Sequence, residues 1–149
     1  MAETLGSLCD KLTIVKLKQW HSEDETRLKS LAVQEQQLQE EINQFVSAAI
    51  SGQIPSDRLT FASNKVYKQQ GNNVPDVSGS IGEIFSELAQ VNCNLWHEQE
   101  KVYDFEKVPI TEKDRVVKQL AILNLQRNKC IDGIDKNFQA QVEQLGYHE

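Results

Sequence analysis

Apolar residues recur at three- and four-residue intervals in three stretches of this chain, the spacing of buried helix faces. Leu5, Leu8, Leu12 and Val15 open the first stripe, which resumes at Leu28, Leu31, Leu38, Ile42, Phe45 and Ala49. The interval from Trp20 to Arg27 is polar, and Ser22-x-x-Glu25 offers an internal cap there. The stripe as a whole nonetheless predicts one continuous helix over about 4–51, stopped by Gly52 and Pro55. A second helix over about 80–107 is announced by the capping box Ser80-x-x-Glu83. Its stripe is Ile81, Ile84, Leu88, Val91, Leu95, Val102 and Phe105, with Glu98 as a polar intruder. An adjoining stripe of Phe85, Ala89, Asn92, Trp96 and Tyr103 predicts that this helix packs on two sides. Pro109 and Thr111-x-x-Asp114 predict a third helix over about 112–145, closed by Gly146. Val116, Leu120, Leu123, Arg127, Ile131, Ile134, Phe138 and Leu145 form its stripe.

These elements predict a single all-α domain, an elongated three-helix bundle with coiled-coil-like packing. The connection 52–79 is irregular, punctuated by Pro55, Gly71, Asn72, Asn73, Pro75 and Gly79. It is expected either to serve as a functional loop or to pack as a short helix near Arg58 to Tyr67 through Leu59, Phe61, Val66 and Tyr67. A first helix of that length would span roughly 70 Å and outrun its partners. Leu38, Ile42 and Phe45 would then need a second chain to bury them, so a homodimer is expected.

Two segments of the chain echo one another. With Leu5–Asp24 set above Ile81–Glu100, Gly6/Gly82, Leu12/Leu88, Val15/Val91, Trp20/Trp96 and His21/His97 coincide without a gap. The echo speaks to architecture and carries no chemistry by itself.

Composition narrows the function classes. The 149 residues carry a net charge of −6, which argues against nucleic-acid binding through a general basic field. No stretch approaches the apolar length of a membrane span, and the opening MAETLGSL has no basic segment followed by an apolar run. A cytoplasmic location is expected. Cys9, Cys93 and Cys130 are too scattered for a disulfide framework or a zinc knuckle, and no cofactor or metal is predicted.

Arg127 is the most pointed chemical feature, because a guanidinium in an apolar stripe must find acceptors. Glu98 lies in the matching slot of the second helix, and Asn124, Asn128, Asp132 and Asp135 surround Arg127 along its own helix. One reading is a buried network that fixes helix register. The other is an anion site for phosphate or carboxylate built from Lys11, Lys16, His21, Asn124, Arg127, Asn128 and Asp132. His21 with Asp24 or Glu25, and His97 with Glu100 and Cys93, have spacings that reach a metal, but lack the inward Glu-x-x-His order of bundle metal sites. No phosphate loop, Ser-His-Asp set or Cys-His pair can be assembled. The favoured expectation is a non-enzymatic assembly or adaptor protein that self-associates through Phe85, Trp96 and Tyr103 and takes a further protein partner; the alternative is a protein or enzyme that binds an anionic small molecule at a polar site around Arg127, and a metal-binding bundle ranks third.

Leu8–His21 (LCDKLTIVKLKQWH) and Leu120–Asp135 (LAILNLQRNKCIDGID) also resemble the amino- and carboxy-terminal signatures of a bacterial family described as a domain of unknown function. The matching positions are Asp10, Lys11, Leu12, Ile14, Lys18 and His21, then Asn124, Arg127, Asn128, Ile131, Asp132 and Asp135. Asn64, Lys65, Val66 and Tyr67 give half of a further match. The resemblance implies a helical bacterial domain and supplies no mechanism.

Overall fold

The polar run after Trp20 breaks the first helix in two. In the computed structural model, which describes residues 2–61 and 77–145, α1 spans Leu5–Trp20, α2 Glu25–Ile50, α3 Ile81–Tyr103 and α4 Ile110–Glu143. Single 3₁₀ turns follow at Ser56–Arg58 and Phe105–Lys107, and there is no strand among the described residues. The expected helix over 4–51 is therefore corrected to a helical hairpin, and the three-helix count to four.

The physical cause lies in two competing caps. At the end of α1 the His21 N–H and its ring Nδ1 both reach the Leu17 carbonyl, the ring at 2.8 Å. Asp24 then starts α2 by accepting the Thr26 N–H at 3.0 Å, so Asp24 takes the capping role that the sequence offered to Ser22 and Glu25. Folding back lets Leu31 bury itself, and an ion pair from Lys16 to Glu35 at 2.8 Å ties α2 to α1. Ile42 and Phe45 pack inside the chain against the main core, with the Phe45 and Phe138 rings 6.2 Å apart. The overhang that called for a second chain is thus filled by the chain itself.

At the start of α1, Thr4 and Ser7 exchange capping hydrogen bonds of 3.2 and 2.8 Å. Ser80 and Glu83 do the same for α3, at 3.3 Å in each direction. The buried faces of α3 and α4 follow the predicted stripes in part: Ile84, Leu88, Val91 and Leu95 of α3 and Val116, Leu123, Ile131, Ile134 and Phe138 of α4 are buried, whereas Val102 and Leu145 are 42% and 52% exposed. Full burial of each such side chain stabilises by roughly 1.5–3 kcal/mol. α4 starts two residues earlier than the sequence suggested, at Ile110 and not at Glu112, directly after Pro109, whose φ of −55° is already helical.

α1 and α3 run parallel, each antiparallel to α4. Gly6 meets Asp135 and Asp10 meets Arg127, while Asp10 and Thr13 meet Asn92 and His21 meets Trp96. Of the long connection, Leu59 is fully buried in the main core, and Ile54 and Val77 pack beside it. The expected helix near Arg58 to Tyr67 falls mostly outside the described residues, as does the Gly146 stop. No helix among the described residues is long and apolar enough to cross a membrane.

Candidate functional site

Arg127 projects from α4 toward α1 and is met there by Asp10, not by Glu98. Its Nε donates to Asp10 Oδ1 at 2.8 Å and its Nη2 to Oδ2 at 2.5 Å, the two-pronged geometry that suits guanidinium to carboxylate. Asn92 of α3 adds its side-chain amide, donating to Asp10 Oδ1 at 2.9 Å and to Thr13 Oγ1 at 2.7 Å. The Thr13 hydroxyl in turn donates to the Asp10 carbonyl at 2.7 Å. Asp10, Thr13 and Asn92 are buried and the Arg127 side chain is about one-third exposed, at 32%. The hydrogen bonds it donates to Asp10 raise the Arg127 pKa above its ordinary value, burial opposing. Three helices meet in this network, with both Asn92 Nδ2 hydrogens and the Thr13 hydroxyl hydrogen donated within it. It fixes the relative register of α1, α3 and α4, and the guanidinium charge is already answered by a carboxylate. Glu98 takes Lys101 instead, at 3.0 Å.

One turn before Asp10, the start of α1 presses on α4 through Gly6. Its N–H donates to Asp135 Oδ1 at 2.6 Å, so a carboxylate from another helix caps α1. A Cβ on Gly6 would stand 2.4 Å from the Ile131 carbonyl oxygen and 2.9 Å from Asp135 Oδ1. Asp135 is buried and its Oδ2 has no hydrogen-bond partner. Burial pushes its pKa up to about 6, against the Gly6 N–H and the Thr4 hydroxyl, with the nearby Asp132 adding to the rise. Burial also pushes the Cys9 thiol up to about 11, helped by Asp135 and Asp10, and the Cys130 thiol likewise to about 11, helped by Glu87. Neither is a reactive thiolate.

Three members of the two echoed Trp-His pairs come together at the far end of α1, while Trp20 is 85% exposed. The His21 ring stacks on Trp96 with centroids 4.5 Å apart, and His97 meets His21 edge-on at 6.1 Å. His97 Nδ1 lies 3.5 Å from Glu100. Among the described residues, no group of three or more His, Cys, Asp or Glu side chains is placed to hold a metal ion. The glycines of the echo part company: Gly6 is clamped, whereas a Cβ at Gly82 would meet nothing within 4 Å.

Of the seven residues of the suggested anion site, Asn124, Arg127, Asn128 and Asp132 lie on α4, and Lys11, Lys16 and His21 on α1 or at its end. Lys11 pairs with Glu3, Lys16 with Glu35 on α2, and His21 stacks on α3. Asn128 bonds the Asn124 carbonyl of its own helix at 2.9 Å, Asp132 is half-buried next to Asp135, and Arg127 is held by Asp10. An open cleft of about 560 Å³ lies instead between the end of α3 and the start of α4, where Lys101 and Lys107 face Glu100, Asp104 and Glu112. Its mixed charges select neither anion nor cation. The suggested association stripe is divided. Phe85 packs against the main core and Trp96 lies under His21, while Tyr103 is 86% exposed.

Sequence reasoning missed Asp10, Thr13 and Gly6. Asp10 lay among the apolar residues of α1, and a carboxylate there and a guanidinium in the stripe of α4 were the two halves of one signal. Comparison with protein-family models, with curated proteins and with solved structures finds no match to this chain.

Proposed function

We propose that this chain is a non-enzymatic helical assembly module that self-associates, in a bacterial cytoplasm. What carries this reading is that its polar residues are spent on holding helices together. The bidentate Arg127–Asp10 pair, completed by Asn92 and Thr13, is closed by its own partners. The two thiols buried in the core are held protonated. A catalytic site needs an acid, base or nucleophile poised in a cleft, and the open cleft between α3 and α4 is lined by His97 and by exposed charges of both signs. By contrast, α3 runs on past Trp96, where His21 at the end of α1 is stacked, as far as Tyr103, and Tyr103, Ile110 and Val117 are exposed at this end. The two signature stretches that suggested a bacterial family supply both halves of the central junction, Asp10 with Arg127, which supports their common origin in one structural device.

Sedimentation velocity of the full chain over a range of concentrations tests the proposal. A mass-action shift from monomer to dimer is expected. A strict monomer at the highest concentration, or saturable binding of a phosphate or carboxylate compound that Arg127→Met abolishes, would sink it.

A further inference from the structure

Asp135 is a buried carboxyl group that its surroundings satisfy by half. Its side chain is sealed from water at 1% exposure. Oδ1 accepts the Gly6 N–H at 2.6 Å, while Oδ2, buried with it, has no hydrogen-bond partner. Thr4, buried as deeply, adds its hydroxyl from the same turn of α1. Among the described residues, Asp132 acts on Asp135 from its own helix, and across the interface it faces Cys9, whose thiol it pushes up together with Asp10. None of these groups is positive at any pH. Arg127, eight residues back along α4, gives its Nε and Nη2 to Asp10. A buried carboxylate with one oxygen unpartnered and no cation beside it is costly. The neutral acid therefore fits the closed contact between α1 and α4, and the carboxylate fits a contact open to water.

The packing on either side of the carboxyl decides which element gives way. Along α4, Ile131, Ile134 and Phe138 anchor the segment around Asp135 in the main core. On the other side the carboxyl is covered by the first turn of α1, whose close seating on α4 depends on the missing Cβ of Gly6. From Asp10 onward α1 is tied again, to Arg127 and to Asn92. Lifting the turns before Asp10 wets Oδ2 and leaves the rest of the bundle in place. We propose that the start of α1, from Thr4 to Cys9, is a proton-gated latch on α4, closed while Asp135 is protonated and released locally when it ionises, with the Asp10–Arg127 pair as its fixed end. The inference goes beyond the assembly reading and does not depend on it. Release uncovers the part of α4 around Ile131, so pH governs access to a surface that α1 otherwise covers. The direction follows from linkage. Burial holds Asp135 at about 6 in the closed chain, above the ~3.9 of a solvated side chain. The latch is thus fully closed below pH ~4, and its opening constant rises about tenfold per pH unit up to ~6, close to a hundredfold in all.

Amide hydrogen exchange of the full chain between pH ~4 and ~7, with each rate divided by the intrinsic rate at that pH, tests the latch. Protection of Gly6, Leu8 and Cys9 should fall by close to a hundredfold across the series. Protection of Val15, in the second half of α1, and of Leu88 in α3 should stay within about twofold. Asp135→Asn cannot ionise, so its three latch amides should keep a protection independent of pH, whatever its absolute level. Asp132→Asn removes the neighbouring negative charge and should move the midpoint of the parent's transition to lower pH; together with the parent series it decides the matter if Asp135→Asn does not fold. Protection that is independent of pH in the parent chain overturns the latch. So does a fall shared equally by Val15 and Leu88, a fall that persists in Asp135→Asn, or an unmoved midpoint in Asp132→Asn.

Discussion

Adding one methyl group to each of the two echo glycines should have opposite effects. At Gly6 the new Cβ would stand 2.4 Å from the Ile131 carbonyl oxygen, a backbone atom that cannot swing aside, and 3.0 Å from Ile131 Cγ2. α1 must lift off α4, and overpacking of this kind costs about 1–3 kcal/mol. The lift also stretches the 2.6 Å hydrogen bond from Gly6 N–H to Asp135, exposing a buried acceptor to a further loss of about 1–3 kcal/mol. Better helix propensity returns at most about 1 kcal/mol. Gly6→Ala should therefore destabilise by about 2–4 kcal/mol, which for a chain of this size lowers the Tm by roughly 5–15 °C. At Gly82 nothing lies within 4 Å of the new atom, so Gly82→Ala keeps only the propensity gain and should raise stability by up to about 1 kcal/mol. Urea titrations followed by circular dichroism measure both. If Gly6→Ala is as stable as the parent, or both substitutions move stability the same way, the close α1–α4 contact is not as described.

Three other outcomes follow from the same geometry. Arg127→Met leaves the buried Asp10 carboxylate with only Asn92 for a partner and should cost about 3–5 kcal/mol; adding Asp10→Leu should recover part of the loss, and a double-mutant cycle in urea without coupling would count against the pair. Asp135 is held at about 6 in the folded chain, above the ordinary value of about 3.9. Its contribution is therefore fully present below pH ~4 and is lost as the pH rises to ~6, on the order of 3 kcal/mol in all; Asp135→Asn should remove this downward slope from a plot of stability against pH, and an unchanged slope would refute the assignment. In a Trp20→Phe background, which should alter stability by less than about 0.5 kcal/mol because Trp20 is 85% exposed, His21→Ala should red-shift the Trp96 emission by uncovering its ring.

Much of the fold was legible because it rests on local rules. The Ser80–Glu83 box placed the start of α3, and the three-four stripes of α3 and α4 named many of the buried residues, though Leu125, Cys130 and Val142 are buried outside them and Val102 and Leu145 within them are exposed. The break after Trp20 was legible in kind but read the wrong way. A polar interval inside a long stripe is compatible with one helix or two, and the choice depends on whether α2 gains more by folding onto α1 than by continuing. That balance is set by Phe45 against Phe138 and Leu31 against α1, contacts between residues far apart in sequence. The polar centre shows the same limit. Arg127 announced a need for acceptors, but Glu98 and Asp10 were equal in kind, and only the position of α1 in the α3–α4 groove selects Asp10. Gly6 carried no signal beyond its match to Gly82, because helical backbone does not require glycine; the demand comes from the approach of α4.

Native mass spectrometry of the full chain, released gently from its buffer, bears most directly on the assembly account, since it reports oligomeric state and retained small molecules together. A dimer with no added mass is the expected result. A monomer that carries a metabolite or metal adduct would contradict it and return attention to Arg127 and His21 as a binding site.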